Sequence, residues 1–87
     1  MQDNQDRSRF ECEIEGAIVF ANYRTVGGIV LLTHVEAPPH LRGMGAAARL
    51  MGEIADHARA AGILLRPQCS YAAAWFKRHP DCADVLG

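Results

Sequence analysis

The chain of 87 residues has no apolar run that approaches the roughly 18 residues needed to cross a bilayer. Its first residues, MQDNQDRSR, are polar and contain no apolar signal-peptide core. The formal net charge is −1, which gives no electrostatic case for nucleic acid binding. We therefore expect a cytoplasmic protein that binds neither membranes nor nucleic acid.

Cysteine is scarce, and the three cysteines show no spacing typical of a metal site. An odd number of cysteines suits a reducing compartment, so each is interpreted singly, and no metal site is predicted. Cys12 alternates with Phe10 and Ile14 and is predicted to lie in the core. Cys82 carries no pattern that indicates a function, whereas Cys69 is a candidate discussed below.

In the first half of the chain, FECEIEG alternates between apolar and polar residues, and GIVLLTHVEA is nearly all apolar in its first half, with turn signals between the segments. The polar start, Met1–Ser8, is predicted to be a disordered tail, and residues 9–87 are predicted to form a single domain. Three strands follow at about 10–16, 17–24 and 28–37, and they form an antiparallel meander.

The second half alternates between helix and strand. Pro38 and Pro39 end the third strand, since proline cannot donate to a ladder. Helical spacing predicts helices at about 43–61 and 70–79, separated by a short strand at 63–67. A strand–helix–strand unit is parallel and right-handed in nearly all cases. The pattern therefore predicts a mixed α+β fold, a meander followed by β-α-β-α with a parallel fourth strand.

The segment PPHLRGMGAAARL places two glycines before an alanine-rich helix, although glycine costs about 1 kcal/mol relative to alanine within a helix. Unpaired N–H groups and the positive dipole end at a helix N-terminus bind anions such as phosphate. Gly43 and Gly45 lack a Cβ atom, and Arg42 adds a fork of donors. The alternative is that the glycines only shape the start of the helix. The segment is neither a P-loop nor a GxGxxG fingerprint.

RGMGAA resembles the Gln/Arg-x-x-Gly-x-Gly/Ala motif of the GCN5-related N-acetyltransferases, with Arg42, Gly45 and Ala47 at the matching positions. The strings LTHVEAPPHLRGMGAAARL and RPQCSYAAAWFKRHPDCADVL extend a likeness to minimal members of this superfamily over about residues 9–86. Such members keep the coenzyme site and lack the early helices that shape an acceptor pocket. The resemblance implies a truncated fold of this type, acetyl-coenzyme A as cofactor, and a cofactor site made of Val35, Leu41, Arg42, Gly43, Met44, Gly45, Ala46 and Ala47.

Cys69 stands between the last strand and the last predicted helix. The positive end of a helix favours the thiolate, so Cys69 is a candidate nucleophile for transfer through an acetyl-cysteine. In the family that the sequence resembles, a cysteine at this place faces the thiol end of the coenzyme. The alternative is a buried structural cysteine.

His34 and Glu36 share one face of the third strand, about 7 Å apart by the strand period. Either side chain is a candidate to take a proton from an acceptor amine or to polarise Cys69, and histidine suits a base because it changes charge near neutral pH. The alternative is a buried histidine that donates to a carbonyl, with Glu36 solvated. The resemblance also implies that Tyr71 protonates the departing thiolate, although its YAAAWF context also fits aromatic packing.

The enzyme hypothesis is acetyl transfer from acetyl-coenzyme A to an unknown amine or protein acceptor. The alternative is a non-catalytic module that binds coenzyme A or an acyl form, as a sensor or partner subunit, because few residues remain to build an acceptor site. A purely structural domain is the third possibility. An exposed sheet edge in the meander is compatible with a monomer or a weak homodimer.

Overall fold

The structure is a computed structural model that describes residues 1–87. Two 3₁₀ turns, Pro39–Leu41 and Pro80–Val85, accompany the regular elements. No helix is both long and apolar enough to cross a membrane. In chain order the elements are β1 (Gln2–Asn4), β2 (Arg9–Ile14), β3 (Ala17–Val26), β4 (Ile29–Glu36), α1 (Ala46–Ala61), β5 (Leu64–Pro67) and α2 (Ser70–Arg78).

All five strands form one sheet in the order β1-β2-β3-β4-β5. Neighbouring strands from β1 to β4 are antiparallel. The strands β4 and β5 are parallel, with Ile29 opposite Leu64 and Leu32 opposite Pro67. Helix α1 forms the crossover between them, so the predicted mixed α+β fold with a meander and a parallel last strand is confirmed.

The N-terminal segment differs from its predicted disorder, because Gln2–Asn4 pair with β2 as an edge strand. The Tyr23 hydroxyl donates a hydrogen bond to Asp3 at 2.6 Å and fastens this strand to β3. Burial, helped by the neighbouring Asp3 carboxylate, raises the pKa of Tyr23 to about 12. An edge strand with polar residues on both faces carries no apolar alternation, which is why the pattern misses it.

Both helices pack on the same face of the sheet and share one core with it. The apolar spacing of α1 predicted its buried stripe, and Leu50, Met51, Ile54 and Ala58 are fully buried there. Cys12 lies in this core as predicted. The core also includes the buried α2 residues Ala72, Trp75 and Phe76.

The opposite face of the sheet has no helix on it. Its side chains are mostly exposed, and Leu31 is the one buried residue that lies outside the main core cluster. The molecule is therefore two layers thick, in agreement with its shortest dimension of 22 Å.

Candidate functional site

A cavity of about 490 Å³ opens where the end of β4, the glycine loop and the first turn of α2 meet. It also includes Glu36, the second candidate base on this strand, and Ala37, which carried no sequence signal. Its lining brings together most of the predicted site residues, namely His34, Val35, Leu41, Arg42, Gly43, Gly45, Ala46, Ala47 and Tyr71.

The N-terminus of α1 presents amide groups that have no acceptor in the chain. The N-cap residue is Gly45, which has no side chain to accept from the first turn. The Gly45 carbonyl accepts from Arg49 at 2.9 Å, so the helix begins directly after it. This arrangement concentrates unpaired donors and the positive end of a helix of 16 residues beside the cavity. The unpaired amides are those of Gly43, Gly45, Ala46, Ala47 and Ala48.

Gly43 and Gly45 both adopt left-handed backbone conformations, with φ of +80° and +78°. A Cβ atom built on either glycine would meet nothing within 4 Å. The two glycines therefore turn the chain into α1 and also leave the backbone open to a ligand. The predicted helix start at residue 43 moves to Ala46, because the left-handed Gly45 interrupts the helical backbone.

Arg42 and Met44 contribute differently from the rest of the loop. The Arg42 Nε atom donates to the Ala37 carbonyl at 3.1 Å, which ties the loop to the end of β4. The Met44 amide donates to the Leu41 carbonyl at 3.2 Å, so it is not free for a ligand. The Met44 side chain is 65% exposed and lines a separate small cavity, so the structure does not bring this predicted residue into the main site.

The strands β4 and β5 separate beside the loop. The amides of Gln68 and Cys69 both donate to the Leu32 carbonyl, at 2.9 and 3.2 Å, and the pairing between β4 and β5 ends at this point. Thr33 forms a bulge without a register partner on β3, and the segment 34–36 pairs with β3 alone. The second edge of this segment is therefore open, and the partly buried Val35 lines the cavity along it.

His34 and Glu36 form a pair at the rim of the cavity, with His34 Nε2 3.2 Å from Glu36 Oε1. Their side chains are 55% and 48% exposed, so the alternative of a buried histidine does not hold. A carboxylate that accepts from Nε2–H fixes the ring and leaves Nδ1 free as the basic nitrogen.

Tyr71 lies in the first turn of α2 and faces the same cavity as His34. Burial raises the pKa of its hydroxyl, although nearby Arg78 acts in the opposite direction. The hydroxyl is therefore protonated at neutral pH and carries the proton that a general acid donates.

Cys69 is the N-cap of α2, and its Sγ atom accepts a hydrogen bond from the Ala72 amide at 3.3 Å. The predicted position at a helix N-terminus is confirmed, but Cys69 is partly buried and does not line the main cavity. Cys12 and Cys82 are buried elsewhere, and burial raises the pKa of the Cys12 thiol.

A comparison with known families agrees with this geometry. The profile of a family described as GCN5-related N-acetyl-transferase matches residues 9–85. The matched region runs from β2 to the end of the second 3₁₀ turn and contains every predicted site residue. Acetyl transfer, generally from acetyl-coenzyme A, is the activity of this family. The chain belongs to the GCN5-related N-acetyltransferase family.

Proposed function

We propose that the protein binds acetyl-coenzyme A in the main cavity and transfers its acetyl group to an amine. The observation that carries the proposal is the set of unpaired amides at the start of α1, beside two glycines without Cβ atoms. A diphosphate is the anion that suits several converging amides at a positive helix end. The residues present therefore fit the charged part of this substrate.

The open edge of β4 supports a position for the rest of the substrate. Beyond Leu32 the strand pairs on one side only, so backbone groups near Val35 are free to hydrogen-bond with the amides of a pantetheine arm. An arm that runs along this edge from the loop ends beside His34 and Tyr71, which both line the cavity.

In the direct route His34 removes a proton from the acceptor amine, and Glu36 holds the ring through its 3.2 Å contact. The amine nitrogen then bonds to the thioester carbonyl carbon, and the carbon–sulfur bond breaks. Tyr71 donates its proton to the leaving sulfur, which balances the proton taken up at His34. The direct route is favoured because both residues border the cavity that would hold the thioester.

A route through acetyl-Cys69 is the second chemical possibility. The Cys69 sulfur would attack the thioester, release coenzyme A and then pass the acetyl group to the amine. The position of Cys69 at the start of α2 is compatible with this route, but its sulfur caps the helix and lies outside the cavity lining. We therefore rank it below direct transfer.

A binding module without turnover is favoured by one observation only. His34 and Glu36 lie half exposed at the rim, and no helix covers this side to enclose an acceptor.

Calorimetry and turnover separate these functions. Titration with acetyl-coenzyme A is expected to show one-to-one binding, whereas dephosphorylated pantetheine should bind far more weakly because it lacks the diphosphate. Release of free coenzyme thiol is then followed with a panel of small amines and lysine peptides. Amine-dependent release establishes the enzyme, binding without release establishes the module, and absence of binding at millimolar ligand contradicts both.

A further inference from the structure

The sheet face opposite the helices is called here the open face. It carries several large apolar side chains that are exposed to solvent. Across β3, β4 and β5, Val26, Ile29 and Leu64 are register partners and form one apolar row. Val26 is 54% exposed and Leu64 is 42% exposed. Toward the other end of the open face, Ile18 is 41% exposed and adjoins the partly buried Phe20.

Arg9 and Glu11 of the open face form an ion pair, and the remaining charges are separated along the strand direction. Next to the apolar row, Arg24 and Arg66 flank the buried Leu31 as its cross-strand partners. Arg24 has no ion-pair partner, whereas the Arg66 Nε atom donates to the Gly87 carbonyl at 3.1 Å. At the other end Glu13 pairs in register with Ile18 and has no cationic partner. Glu36 lies one row closer to the centre, opposite Phe20.

We propose that the open face binds a second copy of this chain in an antiparallel, two-fold arrangement. A two-fold axis that lies between the two copies, parallel to the sheets and perpendicular to the strands, reverses the order of the rows. The arginine row of one copy then lies against the row of the other that holds Glu36, and the row of Val26 lies against that of Ile18. Each contact occurs twice, as an isologous interface requires.

The size of the open face sets the strength of this dimer. Strands spaced about 4.8 Å apart, with a rise of about 3.3 Å per residue, give this sheet roughly 500 Å² of face per copy. Two such faces bury roughly 1,000 Å², which is below the roughly 1,200–2,000 Å² of stable interfaces and within the range of weak, transient ones. We therefore expect a reversible dimer that forms with rising concentration and weakens with salt.

The dimer also bears on the candidate site, in a step that rests on the proposed function. His34 and Glu36 belong both to the open face and to the cavity lining. A second copy on this face supplies a wall on the side of the cavity that the helices leave uncovered.

Molecular mass measured by sedimentation equilibrium tests the interface without reference to activity. The wild-type protein is expected to pass from monomer to dimer as concentration rises. Arg24→Glu with Arg66→Glu makes the open face acidic, and Glu13→Lys with Glu36→Lys makes it basic. Each pair should raise the dissociation constant by about tenfold or more, because like charges then oppose one another. Mixing the acidic and basic variants should restore dimers.

The matched control is Lys77→Glu with Arg78→Glu, which makes the same change in net charge on exposed residues of α2. This control should leave the dissociation constant of the dimer unchanged. A wild-type protein that stays monomeric to millimolar concentration overturns the proposal. A dimer whose dissociation constant is unchanged by Arg24→Glu with Arg66→Glu overturns it as well. If these substitutions instead impair acetyl transfer to a protein acceptor without altering the molecular mass in solution, the open face binds the acceptor and the dimer is refuted.

Discussion

His34 and Glu36 stand two residues apart on β4, with imidazole Nε2 3.2 Å from carboxylate Oε1 at the cavity rim. This contact orders two half-exposed side chains that neither burial nor neighbouring helices hold in place. It therefore gives the proposed base a defined orientation in which Nδ1 is the free nitrogen.

The first prediction concerns this pair. We expect His34→Ala to lower kcat by roughly 100-fold or more, because general base catalysis is removed, while acetyl-coenzyme A affinity is retained. Glu36→Gln should give a smaller decrease, since it weakens the orientation of the ring and leaves the base in place. Steady-state release of coenzyme thiol measures kcat, and calorimetry measures affinity.

His40→Ala is the matched control for His34, because His40 is exposed and does not line the main cavity. It should keep full activity. Equal losses in the His34 and His40 variants, or an unchanged kcat in His34→Ala, would remove His34 from the mechanism.

The second prediction uses two glycines with the same backbone conformation. Gly45 and Gly62 have φ of +78° and +69°, and an added Cβ atom meets nothing within 4 Å at either position. Alanine should therefore cost each variant about 1–2 kcal/mol of stability through left-handed strain. Only Gly45→Ala places its methyl group among the free amides, so it alone should weaken acetyl-coenzyme A binding, by about tenfold or more (about 1.4 kcal/mol).

Chemical unfolding and calorimetry on both variants separate strain from binding. The Gly62→Ala protein should be destabilised and bind normally, since Gly62 caps the far end of α1. Equal affinities in the two variants would show that the loop amides do not hold the diphosphate.

The sequence predicts the strands that carry alternating or continuous apolar residues and misses the strand that carries none. The apolar residues of β2 alternate, whereas β3 and β4 contain continuous apolar runs between turn signals. The strand β1 lies at the sheet edge, and its stabilising contacts are backbone pairing with β2 and the bond from Tyr23 to Asp3. Neither contact leaves a periodic pattern in the sequence.

In the candidate site, the sequence predicts features that depend on local backbone conformation and misses those that depend on packing between distant segments. Glycine spacing predicted the loop, because the left-handed conformations at Gly43 and Gly45 are a local property. Whether Met44 and Cys69 border the cavity depends on how the loop and α2 pack against β4, which the sequence pattern does not encode. Both residues lie outside the lining for that reason.

The third prediction distinguishes the cap role of Cys69 from a nucleophilic role. Serine caps a helix well, so Cys69→Ser should keep stability, whereas Cys69→Ala loses the bond from the Ala72 amide and about 1 kcal/mol. Under direct transfer both variants keep most of the wild-type kcat. Intact mass after incubation with acetyl-coenzyme A should then show no acetyl adduct in any of the three proteins. An adduct in the wild type that is lost in Cys69→Ser, together with lost turnover, would establish the acetyl-cysteine route instead.

The last prediction follows from the raised pKa of Tyr23, which reaches about 12 because the side chain is partly buried and its hydroxyl donates to Asp3. The unfolded chain ionises this tyrosine near its ordinary pKa of about 10, so the folded state binds the proton more tightly. Stability from this group is thus complete below about pH 10 and is lost as pH rises through the folded pKa.

Urea unfolding of the wild type across this pH range should show the loss of stability, and Tyr23→Phe should show a smaller loss. The protein has two tyrosines, and burial also raises the pKa of Tyr71, so Tyr71→Phe is the necessary control. If Tyr23→Phe and wild type lose stability in parallel, the bond from Tyr23 to Asp3 does not fasten β1 to the sheet.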